Sequence, residues 1–387
     1  MGGPLTSAPW GEIQWQGAAA DHGRGGAGAA LQDSTRLSMH NPALYHAGRL
    51  TRFQTNFSGT RTRIQSGGAE ESLSSASFDS WGLGFPLLWR QLHVGLGFTP
   101  ISQVDYLLAQ SGVDALGRVQ LQSLKGRGGL SRAGLTIASP TPAPTLRAGL
   151  ELGLVFGSVL EEWKNFYPQS APPYDSWVNT RHSLFGFQTR LGLHWQARPD
   201  LALGLVWTPP STADLTVDRE NKGNDQDAEL PIRRVDLPAE HSLGLAWRKG
   251  GVDWLLDLRL QDWSGVPMGS VAAERQGRVD HPIGLALGLD LPLSREFAAP
   301  WYRRLTWRAG MRWQEWYARR EQADGSWRDV ETVTLSLGAG VPLKAHGSWL
   351  DLALEAGRSG DTVLDEDFVR LRMGFGARDL WFLRPVY

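Results

Sequence analysis

Hydrophobic residues in this chain recur at every second position over short stretches, not on a helical repeat. The pattern shows in Trp81-Gly82-Leu83-Gly84-Phe85, Val94-Gly95-Leu96-Gly97-Phe98, Leu150-Glu151-Leu152-Gly153-Leu154, Leu191-Gly192-Leu193-His194-Trp195 and Leu285-Ala286-Leu287-Gly288-Leu289. One face of each predicted strand is apolar and the other is small or polar. With so many such ribbons, the apolar faces have to meet lipid. The fold class this predicts is all-β, a transmembrane antiparallel barrel.

The alternation places strands near 49–58, 78–86, 90–98, 116–138, 146–157, 182–196, 200–208, 238–248, 251–262, 280–291, 303–316, 330–341, 348–357 and 365–378. Long polar intervals (59–77, 99–115, 158–181, 209–237, 263–279, 317–329) alternate with short ones, as extracellular loops and periplasmic turns do. An even count of about fourteen puts both chain ends on the periplasmic side. The fourth strand is too long for one transit, and Lys125-Gly126-Arg127-Gly128-Gly129 is expected to break or kink it.

Composition sharpens this picture. Tryptophans such as Trp81, Trp195, Trp207, Trp247, Trp254 and Trp349 sit near strand ends, where indoles form girdles at the headgroup level. The 46 glycines are many for a chain of 387 residues, and those inside strands suggest either close packing against an interior plug or sharp curvature. No apolar run reaches the ~20 residues of a spanning helix. The net charge of −1 points to no nucleic-acid partner. The absence of cysteine excludes thiolate metal sites, thiol nucleophiles and disulfides. Met1-Gly2-Gly3-Pro4 lacks a basic n-region and an apolar h-region, so the leader of an outer-membrane protein is expected to have been trimmed or replaced.

No catalytic signature appears: Gly-x-Ser-x-Gly, His-Glu-x-x-His and a P-loop are all missing, so neither enzyme activity nor a cofactor is expected. His182, His194, His241, His281 and His346 are scattered without ligand spacing, and no metal site is expected. Asp361, Asp365, Glu366 and Asp367 read as a solvated charge run beside an extracellular turn. Loop 99–115 carries an apolar patch of Ile101, Val104, Tyr106, Leu107 and Leu108. This is either a landing site for a greasy ligand or packing between loops. Loop 158–181 carries Trp163, Phe166 and Tyr167, which either bind hydrophobic ligands or anchor the barrel at the interface.

Residues 1–48 break the pattern. Alternation is absent, Gly23 to Ala30 is a run of small residues around Arg24, and the segment is too short for a core of its own, so it is expected inside the barrel. Arg24-Gly25-Gly26-Ala27-Gly28-Ala29-Ala30, then Asp33, then Asn41-Pro42-Ala43-Leu44 resembles the opening of the FadL/TodX family of outer-membrane transporters for long-chain fatty acids and hydrocarbons. The terminal strand Leu371-Arg372-Met373-Gly374-Phe375 and the Trp381-Phe382 tail resemble the ends of family members.

The resemblance implies an N-terminal hatch (1–48) containing Gly25, Gly26, Ala27, Asp33, Asn41, Pro42 and Ala43. A fourteen-stranded barrel (49–378) and a periplasmic tail (379–387) would follow. It further implies passive uptake of hydrophobic molecules through an apolar pocket and a lateral opening at a kinked strand. Pro86, Gly95 and Gly97 are the residues here that would permit such a kink. Membrane lipids and a hydrophobic ligand are the expected partners. The alternative, which the family's PorV-like branch suggests, is an accessory barrel that holds an outer-membrane or periplasmic protein partner.

Overall fold

Thr51–Ser66 (β1) pairs with Leu364–Asp379 (β14), from Thr51↔Asp379 to Ser66↔Leu364, so the first and last strands close a ring. The computed structural model describes residues 10–66, 69–87, 91–113, 117–168, 174–222, 228–266, 277–291, 304–321, 325–343, 347–360 and 364–379. Around the ring follow Ala69–Leu87 (β2), Leu92–Pro100 with Ser102–Val113 (β3), Val119–Pro140 (β4), Leu146–Tyr167 (β5) and Tyr174–Arg198 (β6). Next come Leu201–Thr208 with Ser211–Lys222 (β7), Ala228–Leu237 with Ala239–Lys249 (β8) and Val252–Asp262 (β9). Ile283–Leu291 (β10), Thr306–Glu315 (β11), Glu331–Pro342 (β12) and Trp349–Gly360 (β13) complete it. The result is the expected closed fourteen-stranded antiparallel barrel.

Strand periodicity sorts the side chains. In β12, Val333, Leu335 and Leu337 are exposed on the outer face, while Thr332, Thr334 and Ser336 between them are buried. In β1, Phe53 and Phe57 face out, and Arg52, Gln54, Asn56 and Ser58 face in. An outward apolar band around a polar interior is what hydrocarbon requires of a closed sheet. The short turns suit this geometry. Gly250 and Gly251, at φ +62° and +80°, close β8 onto β9 in a conformation that side-chain-bearing residues resist.

The long intervals differ from expectation. Much of 59–77, 99–115, 158–181 and 209–237 is strand, not loop. The ribbons run on past the membrane, where both faces are wet and hydrophobic alternation is no longer enforced. Ile101 therefore joins the two halves of β3, and Val104, Tyr106, Leu107 and Leu108 lie in its second half. Trp163, Phe166 and Tyr167 lie in β5. In β7 and β8 the ladder is interrupted at Pro209-Pro210 and at Pro238, which lack the donor it needs.

The kink is also elsewhere than at Pro86, Gly95 and Gly97. Those residues pair in unbroken register, Pro86 with His93, Gly95 with Gly84 and Thr136, and Gly97 with Gly82 and Gly134. The break falls instead at Ile101, opposite Gly128 and Gly129 of β4, at φ +126° and +143°. The expected bend in Lys125–Gly129 thus falls at its last two glycines. Past this point β2 and β3 part. Their pairing runs only from Leu87↔Leu92 to Trp81↔Phe98. Among the described residues, 69–80 of β2 then have no strand partner on that edge. A gap in the hydrogen-bonded ladder of the wall thus begins just above the ring cluster of Phe57, Phe78, Phe98 and Phe156.

Candidate functional site: lumen segment and wall gap

Residues 10–48 contact inward-facing groups of strands all around the ring. Ala19 N donates to Asn56 of β1 (3.0 Å), Gly25 N to Ser336 of β12 (2.8 Å) and Gly28 N to Asp257 of β9 (2.9 Å). Asn41 Nδ2 donates to Leu193 O of β6 (2.9 Å). Gly25 and Gly26 have positive φ, and Gly25 is seated against the backbone of Leu287 and Met311, where a Cβ would stand 2.7 Å from Met311 N. Trp15 Nε1 donates to Gly26 O (2.8 Å), and Ala27 is fully buried. Asp33 folds a local turn by accepting from Thr35 N (2.7 Å) and Thr35 Oγ1 (2.6 Å). Asn41 caps the short 3-10 helix Pro42–Ala47 through Ala43 N (3.0 Å). Gly149 and Gly192 of the wall, paired with each other, leave room for Asn41-Pro42-Ala43. Gly95 likewise makes room for the Tyr45 ring.

Charge holds the segment as firmly as packing. Arg24 pairs with Asp21 and, at 2.7 Å, with Asp290 of β10. Asp290 also takes Arg308 Nε (3.2 Å), whose Nη1 reaches Asp351 of β13 (2.9 Å). Asp351 in turn receives Arg36 Nε and Nη2 at 2.7 and 2.8 Å. The chain of pairs therefore leaves the segment at Arg24, crosses three strands and returns at Arg36. A second hub, Glu355, is fully buried and takes Arg372 Nε (2.6 Å), Arg312 Nη2 (3.2 Å) and His22 Nδ1 (3.3 Å). Burial, reinforced by Arg372, pushes His22 down to about 4, so it is neutral in this setting. Burial works against the Asp33 carboxylate, but Arg36 and the Thr35 hydrogen bonds outweigh it and hold the group below the usual range. Sequence reading missed this network. Its one signal was charge on the inner face of strands, as in Asp351 and Glu355 or Arg308 and Arg312, each pair four residues apart.

Toward the long-loop end the interior turns apolar. Leu130, Val155, Leu184, Val235 and Leu237 form a buried cluster against Trp10 and Ile101. Trp10 also packs on a second cluster of Trp263, Val266, Tyr317 and Ala318. Val104 and Tyr106 point inward and are buried, whereas Leu107, Trp163 and Phe166 are exposed. Leu108 and Tyr167 are half-buried, and Arg118 lies over the Tyr167 ring at 5.0 Å. The structure thus brings Ile101, and close by it Val104 and Tyr106, to the interior, and leaves the other candidates apart. Of the acidic run, Asp365 and Asp367 pair with Arg358, and Asp361 lies outside the described residues. So do residues 1–9 and the tail beyond Asp379.

The leading segment also meets the wall gap. Gln14 N donates to Ile101 O (2.8 Å), and the two-residue strand Glu12–Ile13 pairs with Gln103 and Ser102. Gly11, at φ +74°, lies so close to this edge that a Cβ there would stand 2.3 Å from Gln103 O. The edge of β3 that β2 abandons is thus taken up by the segment inside the barrel.

Solved structures share the fold. The toluene transporter TbuX of Ralstonia pickettii superposes with a TM-score of 0.60 at 15% identity, covering 94% of this chain and 98% of that one. The P. putida toluene transporter TodX gives 0.61 at 14%, covering 95% and 100%. A Pseudomonas aeruginosa FadL homologue gives 0.60 at 13%, covering 94% and 98%. At these identities the likeness is one of fold, the FadL/TodX type of outer-membrane barrel. No curated protein matches the chain. The BamG family model matches residues 9–387, and the chain belongs to the BamG family.

Proposed function

We propose that this outer-membrane barrel passes hydrophobic small molecules, of the fatty-acid or hydrocarbon class, from an apolar upper lumen sideways into the membrane. The observation that carries this reading is the apolar interior around Ile101, Val155 and Leu237 beside a stretch of wall where β2 and β3 no longer pair and the lumen segment takes the β3 edge. A water-filled channel has no use for such a lining. Burying ~300 Å2 of alkyl surface is worth about 7 kcal/mol before entropic costs, enough for capture from dilute solution. The toluene transporters that share the fold support the same ligand class by analogy of architecture alone. Passage would be passive, with the ligand leaving without crossing water.

A second reading, an accessory barrel that binds a partner protein, is favoured by one observation. The lower lumen is filled by the ion-paired segment, and the interior cavities lined by Trp15 and His40 or by Trp10 and Trp263 measure only about 20 and 50 Å3. Mass spectrometry of lipid and protein co-purifying with the barrel from its native membrane, against a detergent-only control, separates the two. A recurrent small hydrophobic ligand supports transport. A stoichiometric polypeptide without such a ligand supports the accessory role.

A further inference from the structure

We propose that the outer wall binds one phospholipid of the leaflet at the short-turn end of the barrel, with an acyl chain in a hollow across β6–β9 and the headgroup phosphate on Arg198 and Lys249. This is independent of the lumen and of what crosses it.

The hollow follows from packing on the other side of the wall. Gly204 of β7 and Gly244 of β8 are paired with each other and face inward. A Cβ on Gly204 would stand 2.2 Å from Ala29 O, and one on Gly244 would stand 2.8 Å from Ala29 Cβ. The wall is drawn onto the lumen segment at this point. Outside, Leu193, Leu205, Leu243 and Leu258 line up in register across four strands, with a second row one pair nearer the turns. Between them lies an open hollow of about 580 Å3 walled by leucines and Trp195. That volume is within the ~300–1,000 Å3 of ordinary small-molecule sites.

Every barrel wall touches lipid, so a hollow alone selects nothing. Charge at its lower end does. Trp247 and Trp254, paired and exposed, mark the headgroup level immediately below. Lys249 Nζ lies 4.7 Å above the Trp247 ring. The β6–β7 and β8–β9 turns are tied by Arg248 N donating to Asp200 O at 2.7 Å, which brings Arg198 and Lys249 to one corner. The neighbouring acids are already engaged. Asp253 binds Arg248 through two bonds of 2.7 and 2.9 Å, and Asp200 accepts from Trp247 Nε1 at 3.3 Å. Arg198 and Lys249 make no ion pair among the described residues. At about 3.4 Å per residue, Lys249 stands roughly 14 Å below Leu245, a fitting offset between a phosphate and the upper part of its acyl chain. An uncharged hydrocarbon would fill the hollow without using this corner, whereas a phospholipid uses both.

The test is native mass spectrometry of the detergent-solubilised barrel titrated with dioleoyl phosphatidylglycerol or with dioleoylglycerol, which carries the same chains without phosphate. One retained phosphatidylglycerol is expected, and no comparably retained dioleoylglycerol. The double variant R198Q/K249Q, which leaves the hollow untouched, should lower its apparent affinity by roughly thirtyfold, from two cations at a membrane surface. L205W/L243W, checked for folding by circular dichroism, should abolish retention by filling the hollow. The proposal is overturned if dioleoylglycerol is held as well as phosphatidylglycerol, or if R198Q/K249Q retains the phospholipid undiminished. A co-purified polypeptide cross-linking to the hollow would also overturn it.

Discussion

Gln103 of β3 takes as its antiparallel partner Glu12, a residue of the segment inside the barrel, and not a residue of the neighbouring wall strand. The same stretch of β3 is the one β2 has left, so the lumen segment and the wall gap share one hydrogen-bonded edge. Displacing Glu12–Ile13 would leave that stretch of β3 without its present partner.

Locking that edge should slow passage. The chain has no cysteine, so a Glu12→Cys, Gln103→Cys pair is unambiguous, and antiparallel partners lie within disulfide reach. Oxidised protein in liposomes should transport hydrophobic ligand several-fold more slowly than the same protein reduced. The two single variants should not respond to reductant.

Glu355 holds three partners in a buried site, so Glu355→Ala takes from Arg312 its carboxylate partner and leaves Arg372 with Asp79 alone. Breaking a buried pair of this kind costs about 3–5 kcal/mol. Limited proteolysis should then cut within residues 10–30 well before the wild type is cut, while the barrel itself stays resistant.

Gly192→Ala should loosen the segment in another way, because its Cβ would stand 2.2 Å from Asn41 Oδ1. Overpacking of this order costs about 1–3 kcal/mol. Gly112→Ala meets nothing within 4 Å and should leave hydrogen exchange of residues 38–47 unchanged.

Docking of the segment should weaken in acid. His22 sits at about 4 when docked against an ordinary 6.5, so the released segment binds the extra proton between those values. Docking is therefore strongest above pH 6.5 and is lost progressively as pH falls toward 4. Asp33, held below its usual range, adds a further loss beneath that window. Hydrogen exchange of residues 19–30 should rise over pH 6.5 to 4, and His22→Asn should flatten that rise.

The barrel was legible where hydrocarbon enforces a two-residue period, as in Val94–Phe98 or Leu285–Leu289, since a slip there would turn the large apolar side chains from lipid into the lumen. Beyond the membrane that pressure vanishes, and Thr60-Arg61-Thr62-Arg63-Ile64 reads as loop although it is strand. Glycine in strands correctly signalled close backbone approach, but Gly95 serves Tyr45, not a kink. The kink depends on which strand β3 pairs with, a property of topology that local composition at Pro86 does not carry. The ionic network joins residues such as Arg24 and Asp290, 266 apart in the chain, and only closure of the ring brings them together.

The most direct measurement is photo-crosslinking with a diazirine-bearing alkyl ligand in liposomes, followed by peptide mapping. Adducts are expected on Ile101, Val155 and Leu237 in the interior, competed by unlabelled hydrocarbon and reduced when residues 12 and 103 are disulfide-locked. Adducts confined to lipid-facing residues such as Phe187 and Leu335, indifferent to competitor and to the lock, would contradict passage through the interior.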